Sequence, residues 1–185
     1  MTRRTFLRSL STAPFLASYH AMAAPDKGRV KIRDLQTLVI QGPRTYTLVR
    51  VVSNAGLYGI GEAYGSPGVG VKEQVLALKP ELIGKDPLEI DAIYTGLGQR
   101  TDGSAHALMR AASGIEMALW DLAGKILNQP TTILLGGRFR DSVRMYDHAA
   151  PKDMLDPASC REWAQRVKAD PAGFQTHKFS SPRSK

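Results

Sequence analysis

The chain has 185 residues, 43% of them hydrophobic and 23% charged, with a formal net charge of +8 and a single cysteine. That composition is globular, and one cysteine excludes both an internal disulfide and a cysteine-built metal site. Basic residues are interspersed with Asp and Glu, apart from Arg3, Arg4 and Arg8 at one end and Arg183 and Lys185 at the other. With no aromatic-interleaved basic groove, the charge reads as a solvated surface and no nucleic-acid partner is expected.

The first element reads as a leader. Arg3-Arg4 precede Phe6-Leu7, a mildly apolar stretch runs over residues 10–19, and Ala21-Met22-Ala23 forms a small-x-small site. This is the pattern of a twin-arginine export signal, with cleavage after Ala23 and a periplasmic product in a bacterium. The stretch is too short and too polar for a permanent membrane span.

Three strands are predicted next. Residues 30–40 alternate imperfectly, residues 45–53 are rich in Thr, Val and Tyr, and Asn54-Ala55-Gly56 turns the chain into a third strand over 57–63. They predict an antiparallel meander joined by short connections. A loop with three glycines and a proline follows over residues 64–70.

Helices come next, over 71–78, with a break at Lys79-Pro80, and over 87–97, with Asp86 as N-cap and Pro87 at the first helical position. A third, long helix begins at Ser104. Its Leu108, Ala112, Ile115, Leu119, Leu122 and Ile126 recur at spacings of four and three, which puts one apolar stripe on a helix face. Asp121 and Lys125 stand four apart on the polar side, and Asn128-Gln129-Pro130 stops the helix. Beyond Gly137 the pattern changes to strand (143–148), helix (157–168) and strand (174–179), the opening of a parallel β/α arrangement. The expected architecture is α+β: a leader (1–23), a meander with a helical bundle (24–137), and the start of a β/α barrel (138–185). A whole barrel has eight such units over typically ~250 residues, so the barrel here is expected to be incomplete.

Ala111, Ser113-Gly114-Ile115-Glu116, Ala118-Leu119, Asp121-Leu122, Gly124-Lys125, Pro130 and Leu134-Leu135-Gly136-Gly137 resemble, position by position, a signature of the mandelate racemase/muconate lactonizing branch of the enolase superfamily. Thr131 departs from the aliphatic residue usual after the proline. The resemblance implies an enolase-like N-terminal capping domain over 24–137, followed by the beginning of the catalytic barrel. Relatives hold an essential Mg2+ on carboxylates at the ends of the third, fourth and fifth barrel strands, which lie beyond this chain's two. No metal ligand can therefore be carried over, and a truncated, inactive chain is expected.

The strand near Lys178 resembles the family strand that ends in Lys-x-Lys. Lys178 matches the first lysine, which approaches the substrate carboxylate, and Ser180 stands where many relatives carry the proton-abstracting lysine. A serine hydroxyl is a poor base at neutral pH without a partner, which favours a sugar-acid dehydratase over a racemase or cycloisomerase. His177 alternates to the other strand face and is expected to pack against a helix. Two capping-domain loops shape substrate choice in relatives; here they correspond to residues 41–45 and 64–71. Arg44 and Tyr64 on them, and His148 at the end of the first barrel strand, are the candidate substrate contacts, the substrate being a small sugar acid. Oligomerisation is common among relatives, so the resemblance admits a homo-oligomer, although this chain lacks most of the surface that would decide it. The competing reading is non-catalytic: a capping-domain fragment left as a remnant, or an interaction module that docks on another protein.

Overall fold

The computed structural model describes residues 19–23, 25–42, 44–64, 70–98 and 105–178. They belong to two compact units, Met1–Arg138 and Phe139–Lys185.

The first unit is built on three antiparallel strands in sequence order: β1 (Ile32–Gln41), β2 (Thr45–Ser53) and β3 (Tyr58–Ala63). The turn into β3 uses Gly56 at φ 80°, a left-handed conformation that glycine adopts without a Cβ penalty. The register sets Leu35 against Val51 and Val49 against Gly61, so one sheet face carries Leu35, Val49, Val51 and Ala63 into the core. After the sheet come α1 (Val71–Ala77), the short α2 (Lys79–Leu82), α3 (Ile90–Gly98), the long α4 (Ala105–Ile126) and the short α5 (Thr131–Leu134).

Helix α4 lies on the buried sheet face. Ala112, Ile115, Leu119 and Leu122 of the predicted stripe are buried, and Leu108 and Ile126 pack at its ends. Its contact with β3 is a seam of small residues. A methyl at Gly59 would lie 1.9 Å from the Ala118 carbonyl oxygen, and one at Gly61 would lie 2.2 Å from the Gly114 oxygen. Only glycine permits so close an approach of strand and helix.

The Asp121–Lys125 pair, separated by 2.7 Å, serves the sheet as well as the helix. Asp121 Oδ2 accepts from the Ile60 amide and Lys125 Nζ donates to the Tyr58 carbonyl, both at 2.8 Å. These bonds satisfy groups on the outer edge of β3 that would otherwise be open to another strand.

Two local expectations are corrected. The helix predicted over 87–97 begins at Ile90, and Asp86 caps a turn in place of the helix. Its buried carboxylate accepts locally from Leu88 N at 2.9 Å and, across the fold, from Gly28 N at 2.5 Å, so that it anchors a turn in place of a helix start. The break at Lys79-Pro80 is a helical turn of its own, with Pro80 in its first turn. The core also includes residues 19–23, the end of the proposed leader: they are helical, and Tyr19 and Ala23 join the buried cluster. Ser104, the expected cap of α4, lies outside the described residues.

In the second unit, α6 (Pro157–Lys168) matches its predicted span. Asp156 caps it by accepting from Ala158 N (2.9 Å) and Ser159 N (3.1 Å), with Pro157 at the helix start. The strands expected over 143–148 and 174–179 are reduced to one parallel bridge, Asp147 with His177. Two isolated extended segments share few slanted hydrogen bonds, and a parallel ladder gains regularity from neighbours on both sides. Phe139, Val143, Met145 and Leu155 are exposed here, Phe139 at 91%, and α6 has no buried residue. Phe179 and Ser180 lie outside the described residues.

Candidate functional site

The bridge in the second unit divides the predicted residues between two sides. The Asp147 amide donates to the Thr176 carbonyl (3.0 Å) and the Lys178 amide donates to the Asp147 carbonyl (2.8 Å). Side chains alternate along extended backbone, so Asp147 and His177 share one side and His148 and Lys178 share the other. On the first side, the His177 ring meets Trp163 of α6 edge-on, with centroids 5.6 Å apart. Its Nε2 lies 3.1 Å from the Phe174 carbonyl, and its Nδ1 is 3.6 Å from Asp147 Oδ2. His177 is thus packed against the helix, as its alternation predicts. On the second side, His148 and Lys178 are exposed and occupy corresponding positions one step beyond the bridged pair. Two cationic or hydrogen-bonding side chains at matched positions on adjacent segments can grip one carboxylate.

In the first unit, Arg44 and Tyr64 come to one end of the sheet, because the start of β2 pairs with the end of β3 through Thr47 and Ala63. The hairpin tip bearing Arg44 is pinned by the Gly42 amide donating to the Arg44 carbonyl at 3.0 Å. The Thr45 hydroxyl also bonds Gln41 Oε1 at 3.1 Å. Arg44 is exposed, and Tyr64 is 62% exposed. The Arg110 guanidinium stands 5.8 Å from the Tyr64 ring centroid. Sequence reasoning missed Arg110; it sits off the apolar stripe of α4, and no local motif distinguishes it from a surface arginine. Residues 65–69 of the adjoining loop, and Pro43 in the hairpin, lie outside the described residues.

Among the described residues no group of three or more His, Cys, Asp or Glu side chains could hold a metal ion. Cys160, on α6, turns its thiol toward the Met154 carbonyl at 3.6 Å. No helix among the described residues is long and apolar enough to cross a membrane.

Comparison with known proteins places this geometry. Residues 34–136 match the mandelate racemase/muconate lactonizing enzyme N-terminal domain. The chain is 40% identical over 152 residues to the D-xylonate dehydratase of Haloferax volcanii, covering 80% of this chain and 36% of the relative. It is 34% identical over 134 residues to a D-galactonate dehydratase family member of Cellvibrio japonicus, covering 68% and 32%. The crystal structure of a mandelate racemase/muconate lactonizing protein from Paracoccus denitrificans complexed with magnesium superposes with a TM-score of 0.65 at 29% identity. That superposition covers 76% of this chain and 39% of the other. The chain thus spans about a third of the length of the curated relatives it matches. With a match over more than half of its residues and the meander-and-helix capping fold in place, the chain belongs to the mandelate racemase/muconate lactonizing enzyme family of the enolase superfamily.

Proposed function

We propose that this chain supplies the capping domain and the first two barrel segments of an acid-sugar dehydratase. In that reaction the C–H bond α to the carboxylate and the β C–OH bond break, water leaves, and the resulting enol becomes a 2-keto-3-deoxy acid. The observation that carries the reading is the matched placement of His148 and Lys178, both exposed on the side of the bridge away from Trp163. A protonated Lys178 attracts the substrate carboxylate and His148 adds a hydrogen bond. The names of the D-xylonate and D-galactonate relatives support a sugar acid as substrate. Within the first unit, Arg44 and Tyr64, with the Arg110 guanidinium 5.8 Å from the tyrosine ring centroid, are proposed as the capping domain's own substrate-selecting residues.

Relatives are proposed to share a divalent-ion requirement carried by later barrel strands than the two segments assigned here, and chain 1–185 alone is expected to turn over no sugar acid. The decisive experiment replaces the corresponding segment of the Haloferax D-xylonate dehydratase with residues 34–178. The chimera should convert D-xylonate or D-galactonate to the 2-keto-3-deoxy product, and Lys178→Met should lower kcat/KM by about a hundredfold, the value of a charge-assisted contact made to substrate. A folded chimera that is inactive on every five- and six-carbon aldonate, or one indifferent to Lys178→Met, refutes the reading. Export to the periplasm by the twin-arginine leader is part of the same proposal, supported by Arg3-Arg4, the apolar stretch after them and Ala21-Met22-Ala23.

A further inference from the structure

Residues 19–23 are seated in the first unit. Tyr19 is 9% exposed, and its hydroxyl donates to the Leu88 carbonyl at 2.8 Å. Its ring lies 5.7 Å from that of Trp120. Burial, with Asp86 and Asp91 nearby, pushes the Tyr19 phenol up to about 12. Ala23 is 4% exposed, and its carbonyl accepts from Asp26 N (3.1 Å) and Lys27 N (2.9 Å). Lys27 in turn pairs with Glu89 at 3.3 Å. A cavity of about 320 Å³ adjoins the segment, lined by Leu88, Ile90 and Trp120 on the domain side and by Tyr19 and Ala23 on the other.

The same five residues contain Ala21-Met22-Ala23, the small-x-small site. A peptidase binds its substrate as an extended strand, so cleavage of a folded protein requires local opening of the backbone around the bond. Here the residue that would be cut after is helical, buried, and already bonded through its carbonyl.

We propose that docking of residues 19–23 against Leu88 and Trp120 masks a peptidase site after Ala23, so that the folded capping domain governs its own processing. Cleavage follows undocking. Hydrolysis of the Ala23–Ala24 bond consumes one water and leaves a carboxylate on Ala23 and an amine on Ala24. The freed segment then loses the effective concentration that held it in place, and it leaves an apolar groove at Leu88, Ile90 and Trp120 open. The proposal rests on the export leader proposed above and is independent of the reaction assigned to the family site: uniform cleavage after Ala23 in all variants would refute the masking and leave the leader standing.

The test uses the purified full chain with detergent-solubilised bacterial signal peptidase, following intact mass over time. Wild type should be cut slowly after Ala23, and Tyr19→Ala at least tenfold faster. Tyr19→Phe keeps the ring and removes only the bond to Leu88, so it should be accelerated a few-fold; it carries the test if far-ultraviolet circular dichroism shows Tyr19→Ala unfolded. Equal rates for wild type and the folded variants overturn the proposal, as does cleavage at another bond or no cleavage after Ala23 in any of them.

Discussion

Replacing Gly61 by alanine tests whether the glycine seam between β3 and α4 holds the capping domain together. The added methyl would lie 2.2 Å from the Gly114 carbonyl oxygen, 2.8 Å from the Ala118 amide nitrogen and 2.9 Å from Met117 Cβ. Two of these three atoms are backbone, so no rotamer change relieves the clash; the helix must move off the strand. Carbon–oxygen contacts settle near ~3.3 Å, which calls for a shift of about 1 Å. A gap of that size forfeits roughly a quarter to a half of the dispersion contact along the seam. Overpacking ordinarily costs about 1–3 kcal/mol, and a clash with backbone belongs at the upper end. The expected loss is about 3 kcal/mol, or on the order of 10 °C in Tm for a unit of this size. Gly96 is the control: it lies within α3, and a methyl there meets nothing nearer than Lys85 Nζ at 3.9 Å. Gly96→Ala should stabilise by roughly 0.5–1 kcal/mol through helix propensity. Denaturant unfolding followed by circular dichroism reads both. Gly61→Ala within about 1 kcal/mol of wild type would refute the seam as a packing constraint.

Leu119→Ala, at a fully buried position of α4, should cost about 2–5 kcal/mol in the same unfolding assay. Asp121→Asn should lose about 1 kcal/mol, because it weakens both the bond to Ile60 and the pair with Lys125. Tyr19→Phe should lose about 1 kcal/mol near neutral pH for the bond to Leu88. It should also change the alkaline limb. Burial first, then Asp86 and Asp91, raise the Tyr19 phenol to about 12, so between pH ~10 and ~12 the unfolded chain releases a proton that the folded chain keeps. Wild-type stability therefore falls with rising pH in that window more steeply than that of Tyr19→Phe, and parallel curves would contradict the buried seat. Asp34 is held below the usual carboxylate range by Lys79 first and then Gln36. Its contribution is present above the ordinary carboxylate pKa and lost as pH falls through the folded value. Asp34→Asn should accordingly be mildly destabilising at neutral pH and indistinguishable from wild type in strong acid.

Periodicity and punctuation in the sequence determined the meander, the buried stripe of α4, the stop at Pro130 and the whole of α6, because each rests on contacts or dihedral preferences within a few residues. The signature over Ala111–Gly137 was legible for the same reason: its small residues are those that the seam with β3 demands. Candidate site residues were legible one at a time, Lys178 and His148 by motif and Arg44 and Tyr64 by loop. Tertiary structure alone decided their grouping, since the matched positions of His148 and Lys178 follow from a bridge between segments thirty residues apart. Long-range partners likewise decided that Asp86 ties down Gly28 in place of a helix, that Asp121 and Lys125 close the edge of β3, and that Arg110 stands over Tyr64. The same holds for the seat of Tyr19 against Leu88 and Trp120, which nothing in the leader motif announces. Local propensity carries no record of which distant surface a side chain will meet, and burial against that surface is worth more than the preference of a single turn.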